Sequence, residues 1–157
     1  MTTVPREGQL VAEMQAAMKS GDRERVSVIR LLLADVKNRE SEKGSGQSLN
    51  EVEMTEAIVT AMKQRRESIE QFTKGGRTEL ADKERRELTI LQGFLPSPLT
   101  PEELEGFVRQ AIQETGAVES KDTGRVMKTV MPRVVGRAEG AEVSRVVRQL
   151  LAGQARA

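Results

Sequence analysis

The sequence contains no cysteine and no histidine. Without cysteine there are no disulfides and no thiolate metal sites. Without histidine the chain lacks the commonest metal-binding imidazole and the commonest general base, so Ser-His-Asp and Cys-His pairings are excluded by inventory. Tryptophan and tyrosine are missing too, which leaves Phe72, Phe94 and Phe107 as the aromatics. Sheets draw on aromatic and β-branched residues, whereas the apolar residues here are mostly Leu, Val, Ile, Met and Ala, a mixture that favours helices. So few rings also argue against a stacking platform for single-stranded nucleic acid. No glycine-rich loop matches the phosphate-binding or dinucleotide patterns, and no cofactor is expected. The segment Met1 to Gly8 lacks a long apolar run, and no transmembrane stretch is visible, so the expectation is a cytoplasmic protein with no membrane partner.

Hydrophobic residues make up 37% of the 157 residues and charged residues 31%. That apolar share is low for one thick core and suits helices that each bury one stripe. The net charge is +1, but it is unevenly spread. Residues 1–98 hold 16 basic and 16 acidic side chains, whereas Ser120 to Ala157 holds eight Lys/Arg against Asp122, Glu139 and Glu142. An anionic partner is expected at that end.

Helical spacing divides the chain. Leu10, Met14, Ala17 and Met18 mark a helix from Glu7 to Lys19, broken at Gly21, with Asp22 as the cap of the next. That second helix runs from Arg23 to Lys43 on Val26, Ile29, Leu32, Leu33 and Val36, and Gly44 ends it. Ser48 and Glu51 read as a capping box for a third helix reaching Lys74 through Val52, Ile58, Val59, Met62, Ile69 and Phe72. After Gly75-Gly76 a fourth helix, Arg77 to Phe94, uses Leu80, Glu84, Leu88 and Leu91. Leu95-Pro96-Ser97-Pro98 reads as a stiff linker. Beyond it, Thr100 caps a helix with Pro101 at its first position and Glu103 completing the box. This fifth helix buries Leu104, Phe107, Val108, Ala111 and Ile112 and closes at Gly116. A sixth spans Ser120 to Met131, ended by Pro132 and Gly136. A seventh, Ala141 to Leu151, repeats Val143, Val146, Val147, Leu150 and Leu151. The expected architecture is all-α. An N-terminal domain, 1–95, is a bundle of long antiparallel helices, and a small three-helix module occupies 96–157.

Few groupings suggest chemistry. Glu51/Glu53 and Glu102/Glu103 are accounted for by helix N-terminal dipoles. A carboxylate metal site from Glu13, Glu40 or Glu84 has no spacing that selects it, and no metal is expected. Lys63-Gln64-Arg65-Arg66-Glu67, with Lys74 and Arg77, reads either as a basic stripe or as a solvated face with i, i+4 pairs such as Lys63–Glu67 and Arg66–Glu70. The C-terminal cations form the stronger candidate. Lys121, Arg125 and Lys128 recur at i, i+4 and i+7, Arg133 and Arg137 follow, and Arg145 and Arg148 lie off the buried stripe of the last helix. Gly124, Gly136 and Gly140 permit close backbone approach, and a helix start near Gly140 offers free amides. Such a set suits phosphate contacts to structured RNA; an ordinary solvated basic surface is the alternative.

Several stretches resemble the YqeY family. They are Asp22-Arg23-Glu24-Arg25, Val28-Ile29-Arg30-Leu31, Lys63-Gln64-Arg65-Arg66-Glu67-Ser68-Ile69 and Leu91-Gln92-Gly93-Phe94-Leu95-Pro96. The C-terminal run Gly124-Arg125-Val126-Met127-Lys128, Met131-Pro132 and Gly136-Arg137-Ala138-Glu139-Gly140 completes them. The pieces cover nearly the whole chain in order, with Glu139 standing where the pattern more often has Asp. Proteins of this family are similar to the C-terminal tail of the B subunit (GatB) of the aspartyl/glutamyl-tRNA amidotransferase. The resemblance implies a tRNA-binding accessory role and a grouping with carbon–nitrogen ligases that use glutamine as amido-N-donor. It brings no mechanism, because the subunits that do that chemistry have no counterpart in this chain. Gly124, Lys128, Gly136 and Arg137 are the RNA-facing positions it implies. The alternative is a helical adaptor docking on an amidotransferase or an aminoacyl-tRNA synthetase through the N-terminal helices.

Overall fold

The structure is a computed structural model and describes residues 4–155. Among the described residues there are seven α-helices and no strand. They are α1 (Glu7–Ser20), α2 (Arg23–Lys43), α3 (Glu51–Lys74), α4 (Thr78–Gln92), α5 (Pro101–Thr115), α6 (Thr123–Val134) and α7 (Gly140–Ala155), with a 3-10 turn, Ser120–Asp122, ahead of α6. The chain divides between Pro96 and Ser97 into two compact units.

In the first unit α1 packs on α2 and α3 on α4, and α2 touches both α3 and α4. The core holds Leu10, Val28, Ile29, Leu32, Val36, Met54, Ala57, Ile58, Met62 and Leu91. Most of these fall on the expected stripes. Met18 and Val52 do not, each being 56% exposed. In α3 the buried face is carried by Met54, Ala57 and Ile58, on the side of the helix opposite Val52. The cap of α3 also differs from expectation. Asn50, not Ser48, is the N-cap: its Oδ1 accepts from Glu53 N–H at 2.9 Å, and the Glu53 carboxylate accepts from Asn50 N–H at 2.8 Å. Asn caps as well as Ser, and the later register lets Glu53 also take the Lys43 ammonium at 2.7 Å.

Helix α4 stops at Gln92, two residues earlier than its apolar pattern suggests. A side chain at Gly93 would put its Cβ 3.2 Å from the Ile90 carbonyl oxygen, so only glycine sits there without a shift. Phe94 and Leu95 then turn into the core rather than extend the helix. Arg25 lies over the Phe94 ring, 5.4 Å from its centroid.

In the second unit α5, α6 and α7 all pack on one another. Each contributes residues four apart. Leu104 and Val108 come from α5, Val126, Val130 and Val134 from α6, and Val143, Val147 and Leu151 from α7. Helix α6 runs past Met131 and through Pro132 to Val134, further than expected. Pro132 falls in the last turn, where the one lost N–H bond would have gone to the carbonyl of exposed Lys128, which water can reach. The chain then closes through Val135 N–H to Met131 O at 2.9 Å and Ala138 N–H to Val134 O at 3.1 Å.

Candidate nucleic-acid interface

The second unit carries the positive stretch. Its apolar repeat of four points Val126, Val130 and Val134 inward on α6, and Val143, Val147 and Leu151 inward on α7. By helical geometry Lys128 on α6 and Arg145 and Arg148 on α7 then face away from the core, and all three are exposed.

Most of the other cations are engaged within the unit. Lys121 belongs to the 3-10 turn ahead of α6, so the expected i, i+4, i+7 face loses its first member. Its ammonium lies 3.3 Å from Glu119. Arg125 lies 3.2 Å from Asp122. Asp122 itself accepts from the backbone N–H groups of Val118 (3.0 Å) and Glu119 (3.1 Å). Those two bonds, with help from Arg125 and Lys121, hold its carboxyl below the usual range. Arg133 donates twice to Glu114 on α5, at 2.6 and 3.2 Å. That pairing lowers the Glu114 carboxyl and raises the Arg133 guanidinium.

Arg137 works as a clamp. Gly136 adopts a left-handed φ of 81°, which turns the chain after α6. The Arg137 carbonyl then accepts from Leu99 N–H at 2.8 Å, and its Nε donates to Ser97 O at 3.0 Å. Its guanidinium also lies 3.7 Å from Glu103. Glu103 thus faces Arg137, while the Thr100 hydroxyl caps α5 by accepting from Glu103 N–H at 3.1 Å. Around Gly124 there is open space, and Gly140 begins α7. Lys128 and Arg148 have no ion pair among the described residues, and Arg145 donates to Gln149 at 3.3 Å.

Folding therefore dilutes the charge asymmetry of the linear sequence. From Ser97 to Ala157 there are nine Lys/Arg against eight Asp/Glu. Helix α5 supplies the acids that the run from Ser120 lacks. Among the described residues of this unit, the outward cations left without a carboxylate partner are Lys128, Arg145 and Arg148.

The first unit holds a grouping that the sequence pattern did not single out. Arg65, expected on a solvated face, has a side chain only 15% exposed, with its Nε 2.9 Å from Glu87 and 3.5 Å from Glu84. Glu87 is 5% exposed, in line with Ala81, Leu88 and Leu91 on the inward side of α4, where Leu80 was expected. Two acids at apolar-face spacing are the signal that a cation must come from a neighbouring helix. Burial, then the Glu87 charge, push the Glu84 carboxyl above its ordinary range. Glu13 is instead paired with Arg25 and Glu40 with Lys37. Among the described residues no three acids gather as a metal site would require.

A profile of the family described as Yqey-like protein matches residues 7–151. The chain is 28% identical over 148 residues to altered inheritance of mitochondria protein 41, mitochondrial, of Pyrenophora tritici-repentis, spanning 91% of this chain and 79% of that protein. The protein of the same name from Lachancea thermotolerans is 33% identical over 86 residues, 55% of this chain and 46% of the relative. That from Vanderwaltozyma polyspora is 29% identical over 119 residues, 72% of this chain and 64% of the relative. These names correct the expected cytoplasmic location, since the relatives are mitochondrial by name. A leader for that compartment is amphipathic and arginine-rich, so the lack of a long apolar run never discriminated between the two. Among the described residues no helix is long and apolar enough to cross a membrane.

Proposed function

The chain belongs to the YqeY family, and from that premise we propose that it is a tRNA-binding accessory protein related to the tail of the glutamine-dependent aspartyl/glutamyl-tRNA amidotransferase. In this reading the four N-terminal helices are an antiparallel bundle, and the last three form the RNA-binding module. The observation that carries it is the outward set Lys128, Arg145 and Arg148, left without carboxylate partners among the described residues while Arg125, Arg133 and Arg137 are paired. Phosphate contacts require cations that are not already neutralised. The scarcity of aromatics favours a structured RNA read by shape over a splayed strand. Carbon–nitrogen bond formation is not assigned to this chain alone, because the resemblance behind that grouping brings no catalytic residues with it.

The test is equilibrium binding of the full chain to tRNA at several salt concentrations. Removing one cation that touches a phosphate lowers the salt slope by about one. Replacing Lys128, Arg145 and Arg148 by Ala is expected to weaken binding across tRNA sequences and to flatten the slope by about three units. Binding indifferent to salt, or unchanged in the triple variant, would overturn the proposal.

A second reading, an adaptor that docks on an amidotransferase or an aminoacyl-tRNA synthetase, is favoured by one observation on the first unit. Leu31 is 56% exposed. It borders a groove of about 190 Å³ floored by Val28, Leu32 and Leu91. A pull-down that survives RNase and is lost in Leu31→Glu would support this reading over the first.

A further inference from the structure

Two carboxylates share one guanidinium inside the first unit. Arg65 Nε lies 2.9 Å from Glu87 Oε2 and 3.5 Å from Glu84 Oε2. Its N–H is not aligned on either as a hydrogen bond, and the buried Glu84 Oε2 has no donor at all. A buried carboxylate oxygen without a donor carries its full desolvation cost. The next nearest cation, Lys83, stands 4.0 Å from Glu87 on a side chain 55% exposed, so water screens it. Helix α4 packs against α3 and α2. From α3 the charged group facing Glu84 is Arg65. From α2, Glu24 meets α4 at Arg86, which binds it through three bonds of 2.9–3.1 Å. The charges that act on Glu84 are therefore Glu87, Arg65 and Lys83.

We propose that Glu84 is a proton-binding site that latches α4 to α3. A proton taken from solvent onto Glu84 Oε2 turns an acceptor without a donor into a hydroxyl. That hydroxyl can donate to the Glu87 carboxylate, which flanks the same Arg65 nitrogen. Arg65 then serves one full anion instead of two. Release of the proton to solvent reverses the change, and no other reactant is needed.

The sign follows from linkage. The folded chain holds this proton more tightly than the unfolded chain does, because burial and Glu87 raise the Glu84 carboxyl. The latch therefore gains stability as pH falls toward that raised value and loses it as pH rises through it. Exposed carboxylates of the same unit run the other way. Lys43 lowers Glu53 and Lys74 lowers Glu70, so their pairings weaken on acidification.

A carboxyl-detected NMR titration of the unmodified full chain tests this, with Glu53 and Glu70 as internal references. Glu84 is expected to protonate at a higher pH than either. Amide-exchange protection in α3 and α4, corrected for intrinsic rates, is expected to rise several-fold as pH falls from neutral through the Glu84 titration seen in the same chain, relative to Glu84→Gln, which mimics the protonated latch throughout. Glu84 titrating together with or below Glu53 and Glu70 would overturn the proposal. So would an identical pH response in the variant. Should Glu84→Gln fail to fold, the titration of the parent chain decides alone.

Discussion

Arg133 on α6 and Glu114 on α5 meet in a two-bond pairing, with Nη2 to Oε2 at 2.6 Å and Nη1 to Oε1 at 3.2 Å. This is the fork geometry in which a guanidinium binds a carboxylate best. It removes one of the arginines that the linear sequence offers to an anionic ligand, and it gives the second unit an acid-sensitive tie between helices.

The first prediction follows from that tie. Glu114 is held below the ordinary carboxylate range by Arg133, and Asp122 by backbone N–H groups. Groups with lowered values contribute stability above the ordinary range, and that stability is lost as pH falls through the lowered values. Amide protection in the second unit should therefore fall on acidification, and Glu114→Gln should flatten part of that fall. A variant as acid-sensitive as the parent would count against the tie.

Arg137 and Lys128 should separate stability from binding. Arg137 holds Ser97 O at 3.0 Å and faces Glu103, so Arg137→Ala should cost the second unit about 1 kcal/mol. Lys128 holds nothing among the described residues, so Lys128→Ala should stay within about 0.5 kcal/mol of the parent. Denaturant unfolding followed by exchange in α5–α7 reads both. Equal losses would contradict the division of roles.

Leu151 has no exposed surface and sits among Val143, Val147 and the valines of α6. Leu151→Ala should cost about 2–5 kcal/mol, a large share of what so small a module possesses. Two unfolding transitions are expected, with the second unit opening first, as calorimetry can resolve. An unchanged thermogram would mean that this core is not the unit's main support.

Arg65→Met should cost the first unit about 3 kcal/mol or more at neutral pH, because Glu84 and Glu87 are then left buried without their cation. The loss should shrink as pH falls, because burial and the Glu87 charge hold the Glu84 carboxyl above its ordinary range. Adding Glu87→Gln to Arg65→Met should recover part of it. A penalty independent of pH would point to poorer packing instead.

Much of the helical layout was legible in the sequence, because apolar residues three and four apart report a buried face whatever the neighbour is. Val143, Val147 and Leu151 can be read off as a stripe, and they are all fully buried. Helix ends were less legible. Ser48 and Asn50 are both competent caps, and the choice rests on where Glu53 finds Lys43. Pro132 looks like a stop, yet a last turn tolerates it.

By itself the sequence determined which chemistry is missing, which residues face inward, and that cations gather after Ser120. Only the tertiary structure decided which charges are spent. Helix α5 brings Glu103 and Glu114 beside Arg137 and Arg133, which lie well beyond it in the chain, and leaves Lys128, Arg145 and Arg148 facing out. Helix α3 likewise brings Arg65 to Glu84 and Glu87. Periodicity along one helix reports its own buried face, but an ion pair depends on distance between helices, and that distance exists only once they pack.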